Sequence, residues 1–501
     1  MSSRPLYLDY AATTPVDREV ARIMAECLTA EGDFGNPSST HAYGRAAALR
    51  IAQARAQLAA LVGVEPAEIV FTSGATESNN LAILGAARGN ADRGRHLITS
   101  RTEHKSVLDA FHRLEKEGFS VSWLTPAPDG RIDPAAFGAA LRSDTVLAAI
   151  MFANNETGVL EDVATLGALC RERGIAFHCD CSQAVGKVPL TLHELPIDFA
   201  AFTAHKLYGP KGIGALYVRE GARGLLQPLT YGGGQERNLR PGTPATQQIV
   251  GFGAACELAA REIAAEGPRL TRLREQLWQG LAALGGVHQN GAAAPRLPGI
   301  LNVSFEGVHG ESLVGALSAL ALSTGSACSS ESADPSYVLR ALGRSTQLAQ
   351  SSLRFSVGRP TSEGDVDVAV GAVAEAVGRL RALSPAAPAA SAPGAGWPGA
   401  GAAGGAIVSG EAGGRGQETW VRFHLLIAGD TVKEARFQAF ACPHTTQVAA
   451  WLCRELRGRT REQLIPGTPS GWAQAHGVPA EKLGRLLVVE DALRACLAHW
   501  G

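Results

Sequence analysis

The sequence predicts an α/β protein built on a mainly parallel seven-stranded sheet, with a smaller α+β domain beside it and a further α+β domain at the C-terminus. Three observations carry that prediction. Seven short apolar runs alternate with helical patterns between residues 68 and 218, as expected of strands whose two faces are covered by helices. At 501 residues the chain is too long for one core, so two or three domains are expected. After Leu383 the composition changes sharply: residues 384–416 are mostly Ala, Gly, Pro and Ser, with Glu411 and Arg415 the only charges.

Taken in order, Leu6-Tyr7-Leu8-Asp9-Tyr10 begins a short extended segment. Asp17 is the expected N-cap of an amphipathic helix over residues 20–28, since its carboxylate can accept from the first free backbone N–H groups. Gly35-Asn36-Pro37-Ser38-Ser39 is a turn, and an Ala-rich helix follows over residues 45–61. Glu68-Ile69-Val70-Phe71 is the first strand of the sheet, broken by Thr72-Ser73-Gly74-Ala75-Thr76 before a helical pattern over residues 77–87. A glycine-containing turn at the head of a helix aims backbone N–H groups and a dipole at an anion, which suits a phosphate.

The other apolar runs are residues 96–99, 121–124, 146–152, 175–178, 199–202 and 213–218. Ligands of such sheets gather beyond the carboxyl ends of the strands. The residues able to do chemistry fall there: His104 after one run, Asn154-Asn155-Glu156 after another, then His178-Cys179-Asp180-Cys181-Ser182-Gln183 and Thr203-Ala204-His205-Lys206. Lys206 is the expected catalytic lysine, because an amine at the buried end of a strand is less readily charged and can bond a carbonyl as a Schiff base. Asp180 ends a neighbouring run, and a carboxylate there is what pyridoxal phosphate requires to keep its ring nitrogen protonated. His104 can stack on such a ring and handle protons. Neither G-x-G-x-x-G nor the Walker pattern occurs at the strand-to-helix turns between residues 68 and 218, which argues against a dinucleotide or a nucleoside triphosphate.

Charged residues make up 19% of the chain and the formal net charge is -1, so no basic excess points to nucleic acid or an anionic membrane. Residues 1–10 lack a basic segment leading into an apolar one, and no stretch is apolar enough to span a bilayer; a soluble, cytoplasmic protein is expected. Nine cysteines without framework spacing read as reduced thiols. Cys179 and Cys181 form a C-x-C with no second pair at zinc spacing, so no metal is expected. Cys27, Cys170 and Cys256 sit in helical patterns as packing residues.

These residues together resemble the pyridoxal-phosphate-dependent cysteine desulfurases of the class V aminotransferase superfamily, specifically the iron-sulfur-cluster type. The resemblance runs from Leu6 to about Ser384. It is carried by Leu8-Asp9-Tyr10-Ala11-Ala12-Thr13-Thr14-Pro15, Phe71-Thr72-Ser73-Gly74-Ala75-Thr76-Glu77-Ser78, Thr102-Glu103-His104-Lys105, Asn154-Asn155-Glu156, His205-Lys206-Leu207-Tyr208-Gly209-Pro210-Lys211-Gly212 and Ser323-Thr324-Gly325-Ser326-Ala327-Cys328.

The resemblance implies fold type I of the pyridoxal-phosphate enzymes, with a cofactor-binding domain over residues 1–260, whose N-terminal segment belongs to the small domain, and that small domain over residues 261–383, carrying the catalytic cysteine loop. It further implies that Lys206 bonds the cofactor, Asp180 holds its ring nitrogen, Gln183 its ring oxygen, and His104 stacks on it. Ala75, Thr76, Thr203 and His205 would hold the phosphate, with Thr243 reaching it from the neighbouring subunit of a homodimer. Asn155 and Arg354 would hold the carboxylate of L-cysteine, a partner that suits an arginine fork. Cys328, in a small polar stretch, would attack the substrate sulfur, take it as a persulfide and release alanine; it would also be the residue that transiently ligates a cluster. Another class V enzyme, such as a selenocysteine lyase or an aminotransferase, is the alternative for this region.

Residues 384–416 are expected to be a flexible linker and residues 417–501 a further domain. That domain resembles the iron-sulfur scaffold fold through Phe437-Gln438-Ala439-Phe440-Ala441-Cys442, Glu455-Leu456-Arg457-Gly458-Arg459-Thr460 and Val489-Glu490-Asp491-Ala492. Such scaffolds carry three cysteines and a nearby histidine, of which this chain keeps only Cys442 in position. Two readings stand at this point: Cys442 is a tethered sulfur acceptor, or the domain is a non-catalytic docking module occupying a surface that separate iron-sulfur scaffold or other sulfur-acceptor proteins would use.

Overall fold

The structure, a computed structural model, describes residues 4–308, 310–324, 335–383, 406–414, 419–479 and 482–500. Its contacts divide the chain into two units, residues 1–304 with 319–370, and residues 305–318 with 371–501.

In the first unit, β1 (Leu6–Tyr7) precedes a seven-stranded sheet made of β2 (Ile69–Thr72), β3 (His96–Ser100), β4 (Ser120–Leu124), β5 (Thr145–Ala149), β6 (Ala176–Asp180), β7 (Phe199–Thr203) and β8 (Gly214–Val218). Their order is β2-β8-β7-β6-β5-β3-β4. Only β8 runs against its neighbours, so the sheet is mainly parallel, and each of the seven apolar runs became one of its strands.

Alternation along each strand sorts side chains between two cores. Ile69 and Phe71 join Phe177, Phe202, Leu58 of the helix Ala42–Val62 and Phe252 of the helix Thr246–Ala282 on one face. Val70, Leu97 and Leu147 meet Leu81 of the helix Ala75–Gly89 and Phe111 of the helix Lys105–Lys116 on the other. Burying a large apolar side chain contributes roughly 1.5–3 kcal/mol, so these two layers hold the strand ends in place. As expected, Asp17 caps the helix Arg18–Ala25, its side chain accepting from the Glu19 N–H at 2.8 Å.

A second sheet of this unit is formed by β9 (Val287–Gln289), β10 (Ile300–Phe305) and β12 (Ser352–Ser356), while β11 (Leu320–Ala321) pairs in parallel with β1. The domain boundary expected after residue 260 falls inside one continuous helix, Thr246–Ala282, which carries Pro268 within it.

In the second unit, β13 (Ala406–Gly414), β14 (Thr419–Ala428) and β15 (Thr431–Phe440) form an antiparallel sheet with β14 in the centre. Val421, Phe423, Leu425 and Ile427 of β14 point to one face and pack on Val448, Leu452, Val489 and Leu493 of the helices Pro443–Glu455 and Leu483–His499. β13 corrects the linker expectation, since residues 406–414 are a paired strand. The reason for its small residues is contact: a Cβ on Gly410 would meet the backbone of Ala492 and Cys496, so glycine is what lets the helix lie on the strand. Residues 384–405 lie outside the described residues. Among the described residues, no helix is long and apolar enough to cross a membrane.

Candidate active site

The turn after β2 is the first wall of the site. Gly74 stands at the head of the helix Ala75–Gly89 with φ 156°, a conformation that disfavours side chains. A Cβ on Gly214 of β8 would lie 2.6 Å from Gly74 Cα and 2.5 Å from Phe202 O, so that strand also has to be glycine where it passes the turn. Thr72 Oγ1 and Ser78 Oγ bond across the turn at 2.8 Å. The helix thus presents the backbone N–H groups of its first turn, at Ala75 and Thr76, which lack helical partners.

Asp180 is the last residue of β6 and is buried. Its Oδ1 accepts from Ser182 N at 2.9 Å and its Oδ2 from Asn79 Nδ2 at 2.8 Å. Burial alone would raise this carboxyl, but the Ser182 and Asn79 bonds and the nearby His104 together hold it below its ordinary value. It is an anion at the floor of the site.

Asn79 also donates to Ser106 Oγ at 2.9 Å, and its Oδ1 receives His178 Nε2 at 2.8 Å. Ser106 Oγ in turn lies 2.8 Å from His104 Nδ1. Because Nδ1 also accepts from the Ser106 backbone N–H at 3.2 Å, it carries no proton, the serine hydroxyl donates to it, and the ring proton of neutral His104 resides on Nε2. Burial and Lys206 keep His104 below its usual value, which favours that neutral ring. Asn79 and Ser106 escaped the sequence reading. The signal for Asn79 was an amide in a helix whose other buried positions are mostly small or apolar.

Lys206 follows β7 in a short turn over Ala204–Lys206. His205 Nδ1 lies 3.1 Å from Thr13 Oγ1, and burial, with Lys206 and Lys211 nearby, pushes this histidine down to about 4. Arg354, on β12, donates from Nη2 to Asp9 Oδ1 and from Nη1 to Asn155 O, both at 2.8 Å. Three buried atoms here have no hydrogen-bond partner among the described residues: Arg354 Nε, Asn155 Oδ1 and Ser182 Oγ.

A cavity of about 560 Å³ opens among these groups, and many of them line it. It brings together Ala75, Thr76, His104, Asn155, Asp180, Gln183, Thr203, His205, Lys206 and Arg354, the sequence-predicted residues of the first unit save two. Thr243 is exposed and does not line it. Cys328 lies outside the described residues. Cys442 belongs to the second unit.

The class-V aminotransferase family model matches residues 6–368. The chain belongs to that family. Over 382 residues it is 53% identical to the cysteine desulfurase IscS of Pectobacterium atrosepticum and equally to that of Azotobacter vinelandii, covering 76% of this chain and 95% of each relative. Among solved structures, a NifS-like protein superposes with a TM-score of 0.69 at 35% identity, over 75% of this chain and all of its own. DndA from Streptomyces lividans does so at 0.60 and 43%, over 70% of this chain and 99% of its own. The chain is a cysteine desulfurase and depends on pyridoxal phosphate.

The desulfurase cavity fits that cofactor. It has a buried anion, Asp180, for a protonated ring nitrogen, a helix head for a phosphate, and buried polar atoms at Ser182, Asn155 and Arg354 that have no partner among the described residues.

Proposed function

We propose that the desulfurase converts L-cysteine to L-alanine on the residues gathered in this cavity, taking the sulfur as a persulfide on Cys328 for iron-sulfur cluster assembly or other thio-cofactors. The observation that carries the reading is the placement of Asp180, His104, Lys206 and the Ala75–Gly89 helix head around one cavity. Lys206 bonds the cofactor, Asp180 holds the ring nitrogen, Gln183 the ring oxygen, and His104 covers the ring face. Ala75, Thr76, Thr203 and His205 hold the phosphate, with Thr243 added from a second copy of the chain.

When bound, pyridoxal phosphate supplies a ring that accepts the electron pair left at the substrate α-carbon. Asp180 stays anionic and so keeps the proton on the ring nitrogen. Arg354 offers its Nε, without a partner among the described residues, to the substrate carboxylate, and Asn155 turns its amide N–H towards the same group. The Cys328 thiolate attacks the substrate sulfur; an S–S bond forms, the C–S bond breaks, and its electron pair stays with the substrate carbon, which takes a proton to become alanine.

The test is Cys328→Ser. It retains cofactor and binds L-cysteine, but releases little alanine; wild-type alanine release with added reductant would show that another residue is the nucleophile. Comparison of L-cysteine with L-selenocysteine as substrate separates a desulfurase from a selenocysteine lyase.

For the second unit, the scaffold-like reading draws support from its three-stranded antiparallel sheet and flanking helices. In that reading Cys442, at the head of the helix Pro443–Glu455, accepts sulfur from Cys328. One observation favours the docking-module reading instead: Cys442 is 1% exposed and its Sγ lies 3.2 Å from Thr445 Oγ1. Acceptance therefore requires this turn to open, and Thr445→Ala, which removes the partner, raises persulfide on Cys442 if it is an acceptor and leaves it absent if the unit only docks.

A further inference from the structure

A smaller cavity of about 40 Å³ shares Ala11 and Lys206 with the main one. Lys187 lines only the small one. Its Nζ donates to Gln183 Oε1 at 2.8 Å, and Gln183 Nε2 donates to Ala11 O at 2.9 Å. Gln183 itself is 3% exposed, so both ends of its amide are fixed from inside the protein. An amide can be turned end for end at little steric cost, and only its partners decide which end faces where. An ammonium has donors and no acceptor, so Lys187 selects the amide oxygen and leaves the NH₂ group on the side of Ala11, which lines both cavities, while Gln183 itself lines only the main one. One of the two N–H bonds of that group goes to Ala11 O; the other has no partner among the described residues and can serve a ligand.

From this arrangement we infer that Lys187 is a positioning residue for the desulfurase, acting through Gln183 to keep an N–H donor turned towards the ring oxygen of the cofactor. The inference rests on the proposed role of Gln183. Burial, with Lys206 and Arg354 nearby, pushes the Lys187 amine down to about 7; bonding to the Gln183 oxygen favours its charged, donor-only form. The mechanism above makes no use of Lys187, and a lysine placed only for packing would need no acceptor at its tip.

The experiment is a double-substitution cycle on the holoenzyme, reading the visible absorption spectrum of bound pyridoxal phosphate and its dissociation constant at about pH 6, below the Lys187 transition. Gln183→Ala alters the spectrum and weakens retention; if it changes neither, the reading of Gln183 fails. Lys187→Met produces a change of the same kind, with retention about three- to tenfold weaker, the size of one lost hydrogen bond. In the Gln183→Ala background Lys187→Met adds nothing, and Lys187→Arg restores most of the parent spectrum by keeping a charged donor. A Lys187→Met effect that is equal in both backgrounds, or a folded Lys187→Met protein with parent spectrum and retention while Gln183→Ala is altered, overturns the inference for Lys187.

Discussion

At Asn79 a single amide joins three groups of the site, donating to Asp180 Oδ2 and Ser106 Oγ and accepting from His178. A hydrogen bond to a charged group contributes about 1.5–3 kcal/mol, so Asn79→Ala is expected to lower alanine formation by roughly ten- to a hundredfold. The loss appears with folding intact, measured by circular dichroism beside the rate; an unchanged rate would remove Asn79 from the site. Burial pushes the Glu156 carboxyl up to about 7, against the Ser336 hydroxyl and Arg354. Its unfolded value is about 4.3, so between about pH 4.3 and 7 the folded chain holds a proton that the unfolded chain lacks. Its contribution to stability is complete below that window and is lost as pH rises through it. Glu156→Gln, which keeps an acceptor for Ser336, is expected to flatten the decline in thermal midpoint across the window; the same decline in both proteins contradicts the assignment. Asp180, Lys206 and His104 were legible as residues because each follows an apolar run. Asn79 and Ser106 were not, because the bond between them joins two helices and the bonds of Asn79 to Asp180 and His178 join a helix to β6, pairings that only packing makes.

Among the elements, the seven sheet strands were readable because a strand buried on both faces leaves a short apolar run bounded by turn residues. β13 was hidden for the opposite reason: its glycines and alanines answer to the helix Leu483–His499 lying on it, and small residues in a row also describe a linker. Gly410→Ala is expected to cost about 1–3 kcal/mol, the usual range for overpacking, and to speed amide hydrogen exchange in β13 and β14. Unchanged exchange would mean that the helix can shift to admit the methyl group. Gly214→Ala drives a methyl group into the Gly74 turn and should loosen the cofactor, seen as faster release of pyridoxal phosphate on dialysis; parent retention would show that the turn does not set the phosphate site.

For the whole molecule, the homodimer proposal makes Thr243 serve the site of the neighbouring chain, in keeping with its exposure on its own. Co-expressing Lys206→Ala and Thr243→Ala chains then yields mixed dimers with one intact site and recovers alanine formation, while each variant alone is impaired. No recovery in mixed dimers places Thr243 in the site of its own chain or in none. The division into units separates Cys442 from the cavity that holds Lys206, and whether sulfur passes from one to the other is the point on which the second unit is an acceptor or a docking module. The central claim is that sulfur leaves L-cysteine through Cys328. It is tested most directly by incubating the holoenzyme with labelled L-cysteine and mapping persulfide by peptide mass: label on Cys328, with an equal amount of alanine formed, is the predicted result, and alanine formed with no label on Cys328 contradicts it.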